Sequence, residues 1–316
     1  MKIINSYYIA ILLLAFTGCQ SGNGNQSERD TPTSGRIAIS VDQSFKNLID
    51  SEVLIFHSQY DKAHIDVHYL PEAEALQLFL KDSVRALVIA RELTANEKKI
   101  LEVEGIKLKN TIIAVGGIAL IVNPDNPVDK LDVGTLTDII AGKKTEWSEV
   151  EGSKMKGKIN IVLDNPGSGV YSYSRDSLLK GAPLGSNVYA LKNNQEVIDY
   201  IAKHKNSIGL IGVNHVSDMS DVQNQKFTKQ VKLLELSDNT QMEGFQPYQA
   251  YIATRQYPII RLLHIYINEP YNGLGSGFAA FAASDKGQRI VLKDGLIPAN
   301  APVRLIQVNP SSPNIK

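Results

Sequence analysis

The feature that most constrains this chain is a regular alternation of short β-branched runs with longer runs of helical period. "RIAISV" (36–41) precedes "FKNLIDSEVLIFHSQY" (45–60), where Phe45, Leu48, Ile49, Val53 and Phe56 recur at the spacing of one helix face. The unit returns as "IDVHYL" then "PEAEALQLFLKDS", with Pro71 at a first helical turn, and again as "RALVIA" then "RELTANEKKILEVEG". A strand followed by a helix and another strand closes by a right-handed crossover, which makes the strands parallel. The chain therefore reads as α/β, with sheets flanked by helices. Ligands in such sheets bind beyond the carboxyl ends of the strands. The loops placed there are Asp42-Gln43-Ser44, Pro71-Glu72-Ala73 and Ala90-Arg91-Glu92, with Ser44 also a natural N-cap for the helix that follows.

A second region opens with "GGIALIVNPDNP" and passes through the helix "LDVGTLTDIIAG" and the aromatic "TEWSEV" to "INIVLD". It continues with a helix near "QEVIDYIAKH" and the strands "SIGLIGV" and "VKLLEL". "YQAYIATRQYPIIRLLHIYIN" and "GLGSGFAAFAASDKGQRIVLKDGLIPA" supply further strands and a helix pair. No sequence period of about twenty to fifty residues repeats along the chain, which excludes a solenoid. With 316 residues, one large domain or two lobes are both affordable, and 33 basic against 33 acidic side chains give no net field to draw nucleic acid.

The N-terminus "MKIINSYYIAILLLAFTGC" has a basic start and an apolar stretch too short to span a bilayer, which reads as a secretory signal over 1–18. Its end, "AFTGC", resembles a bacterial lipobox, with Phe16 where leucine is commoner. Cys19, the only cysteine, is the expected lipidation site, and no disulfide can form within one chain. Residues 19–35 lack large apolar side chains after Cys19 and are expected to be a flexible tether, with the fold starting near Arg36.

"VLDNPGSGVYSYSRDSLL" (162–179) is a strand that meets an aspartate, turns through Pro-Gly-Ser-Gly and enters a helix. Backbone N–H groups at such a helix entry are donors for an anion. Other motifs point elsewhere. His64 and His68 share a strand face with no third ligand in view, so no metal is expected. "GLGSGFAAF" lacks the Lys-Ser/Thr of a phosphate loop and reads as helix entry and close packing. No activated nucleophile or catalytic carboxylate pair is apparent, so the chain is not expected to be an enzyme, and no cofactor is expected.

The run "IALIVNPDNPVDKLDVGTLTDIIAGKKTEWSEV", preceded by "RELTANEKK" and followed by a Gly-Ser-Gly turn, resembles the PstS-like phosphate-binding proteins of ABC transporters. "QYPIIRLLHIYIN", "GFAAFAASDKGQRIV" and "GLIPA" resemble the C-terminal elements of that family, and the likeness covers nearly all of 36–308. It implies a two-lobed periplasmic-binding fold of type II, each lobe a mixed, mainly parallel sheet, with a hinge between lobes. One lobe would comprise 36–115 and the return from 246 to 316, including a C-terminal tail, and the other 116–245, with crossings near Gly116-Gly117 and Gly244.

The resemblance also implies a site. Ser44 with the N–H groups of Phe45 and Lys46 matches the family's first anion-binding turn, and Ser168, Gly169 and Val170 match its Ser-Gly-Thr turn. Two departures stand out. Asp164 occupies the position of an arginine four residues before the turn serine, and Ala90-Arg91 stand where the family often has an acid. One reading is a charge swap, with Arg91 as the cation and Asp164 as acceptor of a ligand proton. The other is a structural pairing of Arg91 with Asp164 or Glu92, or an Asp164 that caps its own turn. Val170 replaces a threonine and so removes a hydroxyl donor. Tyr171, Tyr173 and Arg175 follow on the first turns of the helix.

The expected function is capture of phosphate or a related oxyanion by a lipid-anchored, periplasm-facing protein of the bacterial envelope, for delivery to an ABC transporter permease. The alternative is an envelope interaction or sensor module that keeps the fold without tight phosphate binding.

Overall fold

A computed structural model describes residues 29–103, 105, 107–217 and 222–300. The signal segment, Cys19 and the tail from 301 lie outside the described residues. The strands are β1 (Gly35–Asp42), β2 (Ala63–Leu70), β3 (Ala86–Ile89), β4 (Leu108–Val122), β5 (Lys130–Asp132), β6 (Asn160–Leu163), β7 (Val188–Ala190), β8 (Ser207–Gly212), β9 (Lys232–Leu233), β10 (Glu235–Ser237), β11 (Ile260–Asn268) and β12 (Ile297–Pro298). The main sheet runs β2-β1-β3-β11-β4-β8-β6-β7. β1 is parallel to β2 and β3, and β6 is parallel to β7 and β8, as the strand-helix alternation requires. β11 enters antiparallel between β3 and β4.

β4 joins the two halves. Residues 108–117 pair with β11, whereas Ile118 to Val122 pair with β8. The change of partner falls at Gly117/Ile118, where the glycine pair stands. Neither glycine has a positive φ. Their role is close approach: a Cβ on Gly117 would lie 2.6 Å from the Ile259 carbonyl, and one on Gly116 would lie 2.9 Å from Leu296. The return passage is short. Phe245 is still paired with Leu236, while Gln249 already donates to the Leu292 and Leu296 carbonyls at 3.0 and 2.9 Å.

The helix Lys46–Gln59 buries Leu48, Ile49 and Phe56, as its period requires. Its entry is a 3-10 turn, Gln43–Phe45, in which the Asp42 carboxylate caps the N–H of Ser44 at 3.0 Å. The helix Glu72–Leu80 carries Glu72 and Glu74 in its first turn, where acids complement the helix dipole. One apolar core runs through both halves from Phe278 to Trp147. A second, around Phe79, Leu87, Leu101 and Tyr266, lies beneath the helices that flank β3.

Three local expectations are modified. "VKLLEL" divides at Leu234, with β9 on β4 and β10 on β5. The helix after the Gly-Ser-Gly turn is one α-helical stretch, Gly169–Tyr173, followed by a wider π turn, Ser174–Leu178. The fold also starts earlier than Arg36. Asp30 accepts the Leu274 N–H at 2.6 Å and the Tyr271 hydroxyl, and Pro32 packs so closely that a Cβ on Gly277 would overlap its carbonyl. Polar side chains rather than apolar burial hold this strap, which is why composition alone misjudged it.

Candidate functional site

The carboxyl ends of β1, β2, β3 and β6 deliver their turns to one cleft between the halves. In the first half, Asp42 ends β1 fully buried, and Ser44 and Phe45 follow it, also buried. The Ser44 N–H is taken by Asp42, and the Lys46 N–H donates to the Gln43 carbonyl. Of the two amides expected to face an anion, Phe45 and Lys46, the second thus serves the turn itself, as does that of Ser44. The chain's own carboxylate occupies that niche.

In the second half, Ser168 is the N-cap of the Gly169–Tyr173 helix, accepting the Tyr171 N–H at 3.1 Å and donating its hydroxyl to Asp164. The first two helical amides, Gly169 and Val170, have no acceptor within the helix. The Val170 side chain is buried. Asp164 is buried as well, and desolvation pushes its carboxyl up to about 6, with the Ser168 hydroxyl and the Arg261 charge opposing the rise. The two halves touch directly. Ala73 N–H donates to the Gly167 carbonyl at 3.0 Å, and Asn214 Nδ2 donates to the Ser44 carbonyl at 2.7 Å.

The cation facing Asp164 is Arg261, which the loop-by-loop reading did not single out. It is the second residue of β11, opposite Gly116, and only 6% exposed. Because β11 runs against β1 and β3, its start lies where their ends lie. Its guanidinium sits 6.0 Å over the Phe45 ring. Arg261 Nε and Nη1, Asp42 Oδ2 and Glu72 Oε2 have no hydrogen-bond partner among the described residues. Three of these atoms crowd Gly169: a Cβ there would lie 2.6 Å from Glu72 Oε2 and 2.9 Å from both Arg261 Nη1 and Asp42 Oδ2. The available signal was a single arginine within the apolar run "YPIIRLLHIYIN", since a charge inside a strand core needs a partner.

Arg91 is placed differently from the charge-swap reading. It donates through Nε to Glu72 at 2.9 Å, through both Nη atoms to Glu97 at 2.9 Å, and to the Glu92 carbonyl. It therefore braces the first half, partly exposed, and Asp164 is not its partner. Burial raises the carboxyls of Asp42 and Glu72, and Asp42 pushes Glu72 further up against the Arg91 charge. Desolvation and the Arg261 charge hold His215 down to about 4, so its ring is neutral at physiological pH and accepts or donates a hydrogen bond with Asn194 at 3.1 Å.

Behind the guanidinium lies a space of about 10 Å³ lined by Phe45, Ala90, Gly116, Gly117, Asn214, Arg261, Leu263 and Leu296. That volume holds a water at most. With the halves in contact, a larger ligand enters only if they separate. Among the described residues no group of three metal-ligating side chains occurs, and no helix is long and apolar enough to cross a membrane. His57 rather than His68 stands beside His64, and it accepts the Ile65 N–H at 3.1 Å. The glycine-rich start of the helix Leu274–Ala282 is closed by Glu269, whose carboxylate accepts the N–H groups of Gly273, Gly275 and Ser276.

Comparison with known proteins extends the resemblance across the chain. The PBP superfamily domain matches residues 26–286. The phosphate-binding protein PstS of Staphylococcus aureus (strain USA300) is 26% identical over 283 residues, covering 88% of this chain and 82% of that protein. A Clostridium perfringens protein, described as a phosphate ABC transporter substrate-binding protein and solved with bound phosphate, superposes with a TM-score of 0.69 at 22% identity, covering 84% of this chain and all of its own. An ABC-type phosphate transport receptor from Vibrio cholerae superposes with a TM-score of 0.67 at 21% identity, with the same coverage. The fold is thus the two-lobed periplasmic-binding type, with β4 carried through both lobes and the cleft at the ends of β1, β2, β3 and β6. On these grounds the chain belongs to the PBP superfamily-domain family and is PstS-like.

Proposed function

We propose that the chain is an extracytoplasmic solute-binding protein that captures phosphate between its lobes and hands it to an ABC transporter, without turning it over. The observation that carries this reading is Arg261: a buried guanidinium with unpartnered N–H donors, aimed from lobe one at the Ser168–Gly169–Val170 turn of lobe two. A charge buried in this way demands an anionic partner. In the proposed closed state the oxyanion is held by Arg261, by the Gly169 and Val170 amides and by the Ser44 hydroxyl, over the Phe45 ring, while the Ser168 hydroxyl, expected as a ligand, stays with Asp164. The S. aureus relative and the two structural neighbours are phosphate-binding or phosphate-transport proteins by name, which supports the same ligand class. Lobe one is taken as 36–115 with the return from 246, preceded by the strap at Asp30, and lobe two as 116–245. Cys19 would carry the lipid that holds the protein to the membrane.

Titration calorimetry of the full chain with inorganic phosphate tests this. One-to-one binding that weakens at least about a hundredfold in Arg261→Met, roughly 2.7 kcal/mol, is the expected result. Absence of binding in the native chain overturns it. A second reading, an envelope module without tight anion binding, is favoured by one observation: Asp42 already fills the turn at Ser44.

A further inference from the structure

The cleft holds two free acceptors, and an oxyanion with a single hydroxyl satisfies only one of them. Asp42 uses Oδ1 for the Ser44 N–H at 3.0 Å, and Glu72 uses Oε1 for Arg91 Nε at 2.9 Å. Their other oxygens, Asp42 Oδ2 and Glu72 Oε2, are buried, unpartnered and turned toward Gly169, beside the unpartnered Nη1 of Arg261. Asp164 already accepts the Ser168 hydroxyl. One buried acceptor without a donor costs about 1–3 kcal/mol, and carboxylates facing an unprotonated anion cost more.

On the phosphate reading of this cleft, we propose that Asp42 and Glu72 each accept a hydroxyl of the ligand, so that the captured species is an oxyanion carrying two acidic protons, dihydrogen phosphate. Its two remaining oxygens are left for Arg261 and the lobe-two amides. Whether each proton lies nearer the ligand or the carboxylate, the complex holds two shared protons in O–H···O contacts, and no bond to phosphorus changes. Burial favours keeping those protons, against the pull of the neighbouring guanidinium charges. Asp42 is faced by Arg261 and Asp164, Glu72 by Asp42, Arg91 and Arg261, and Asp164 by Arg261 and Glu72. Burial raises all three carboxyls, which strengthens their hold on a proton.

Methylphosphonate separates this arrangement from one with a single acceptor. At about pH 6 its monoanion is nearly isosteric with dihydrogen phosphate but has one hydroxyl fewer. Calorimetry of the full chain with inorganic phosphate, methylphosphonate and sulfate should give methylphosphonate at least about tenfold weaker than phosphate and sulfate at least about a hundredfold weaker. Asp42→Asn and Glu72→Gln place an amide donor beside the ligand and should each narrow the phosphate-to-methylphosphonate gap to about threefold or less. Methylphosphonate within about twofold of phosphate in the native chain overturns the two-acceptor arrangement, as does an unchanged gap in both variants. The native series stands by itself if a variant does not fold. Loss of phosphate binding in the native chain overturns the underlying phosphate reading, and this proposal falls with it.

Discussion

The backbone N–H of Ala73 donates to the carbonyl of Gly167 at 3.0 Å, so the turn after β2 and the turn after β6 are joined across the cleft without any side chain between them. Contact this close sets a hard limit on side-chain volume at the next glycine in the turn, Gly169.

Gly169→Ala is expected to hold the lobes apart. Its Cβ would come within 2.6 Å of Glu72 Oε2 and 2.9 Å of Arg261 Nη1, contacts that exist only when the turns meet. Alanine suits a helical position, so the cost falls on closure rather than on folding. Phosphate affinity should drop at least about tenfold while the melting temperature without ligand changes by less than about 2 °C. Small-angle scattering should show a larger radius with phosphate than for the native chain. Equal affinity would sink the claim that these turns must meet.

Arg91→Met separates bracing from binding. The Arg91 guanidinium is committed to Glu72, Glu97 and the Glu92 carbonyl, and neutralising it leaves the buried Glu72 without its cation. Such a loss destabilises by about 3–5 kcal/mol when both partners are buried, and Arg91 is partly exposed, so about 1–2 kcal/mol is expected here. Thermal melts should fall by about 2–6 °C, with phosphate affinity changed less than Arg261→Met changes it. A larger affinity loss for Arg91→Met than for Arg261→Met would reverse the assignment.

Ser168→Ala removes the helix cap and the hydroxyl that Asp164 accepts. The cap is worth about 1 kcal/mol. Because the Ser168 hydroxyl lowers the Asp164 carboxyl, which stands at about 6, its removal should move that value upward. An Asp raised above its unfolded value keeps a proton that the unfolded chain has lost, so stability declines as pH rises from about 4 to 6. Carboxyl NMR titration of Asp164 reads the change directly, and a value at or below that of the native chain counts against the pairing.

Glu52 offers a test away from the cleft. On the buried face of the helix Lys46–Gln59, both its carboxyl oxygens lack a partner, and burial with the Asp294 charge pushes it up to about 8. The folded chain therefore holds a proton at Glu52 that the unfolded chain releases near pH 4.5, and stability falls as pH rises from there through about 8. Glu52→Gln keeps the shape and removes the titration. Its melting temperature should exceed the native value by at least about 3 °C at the alkaline end of that window and match it at the acid end. Parallel melting curves across the window would falsify this account.

Much of this molecule was legible because its regular elements follow from local pattern. β1, β2 and β3 and their helices appear where β-branched and helical periods place them, and the parallel pairing follows from the crossovers. The loops at Asp42, Glu72 and Arg91 do meet at one end of a sheet, but the buried cation facing them is Arg261, while Arg91, open to either a ligand or a structural role from the sequence, is paired with Glu72 and Glu97. Arg91 was the only cation those three loops contain. Arg261 reaches the same end from an antiparallel strand that returns late in the chain, and local periodicity carries no information about strand direction. Glu72 was hidden for a related reason. Its acid suits a first helical turn by itself, and only the arrival of Gly169 from the other lobe reveals its free oxygen.

The strap at Asp30 fixes where the preceding chain leaves the body. Asp30 holds Leu274 N–H beyond the far end of β11, and Pro32 rests on Gly277, whereas Arg261 stands at the opposite end of that strand. Seven strand residues, about 23 Å, lie between them. A pull on the chain at Asp30 would thus load the base of lobe one, where β1 begins and β11 ends, and would leave the second lobe free of it.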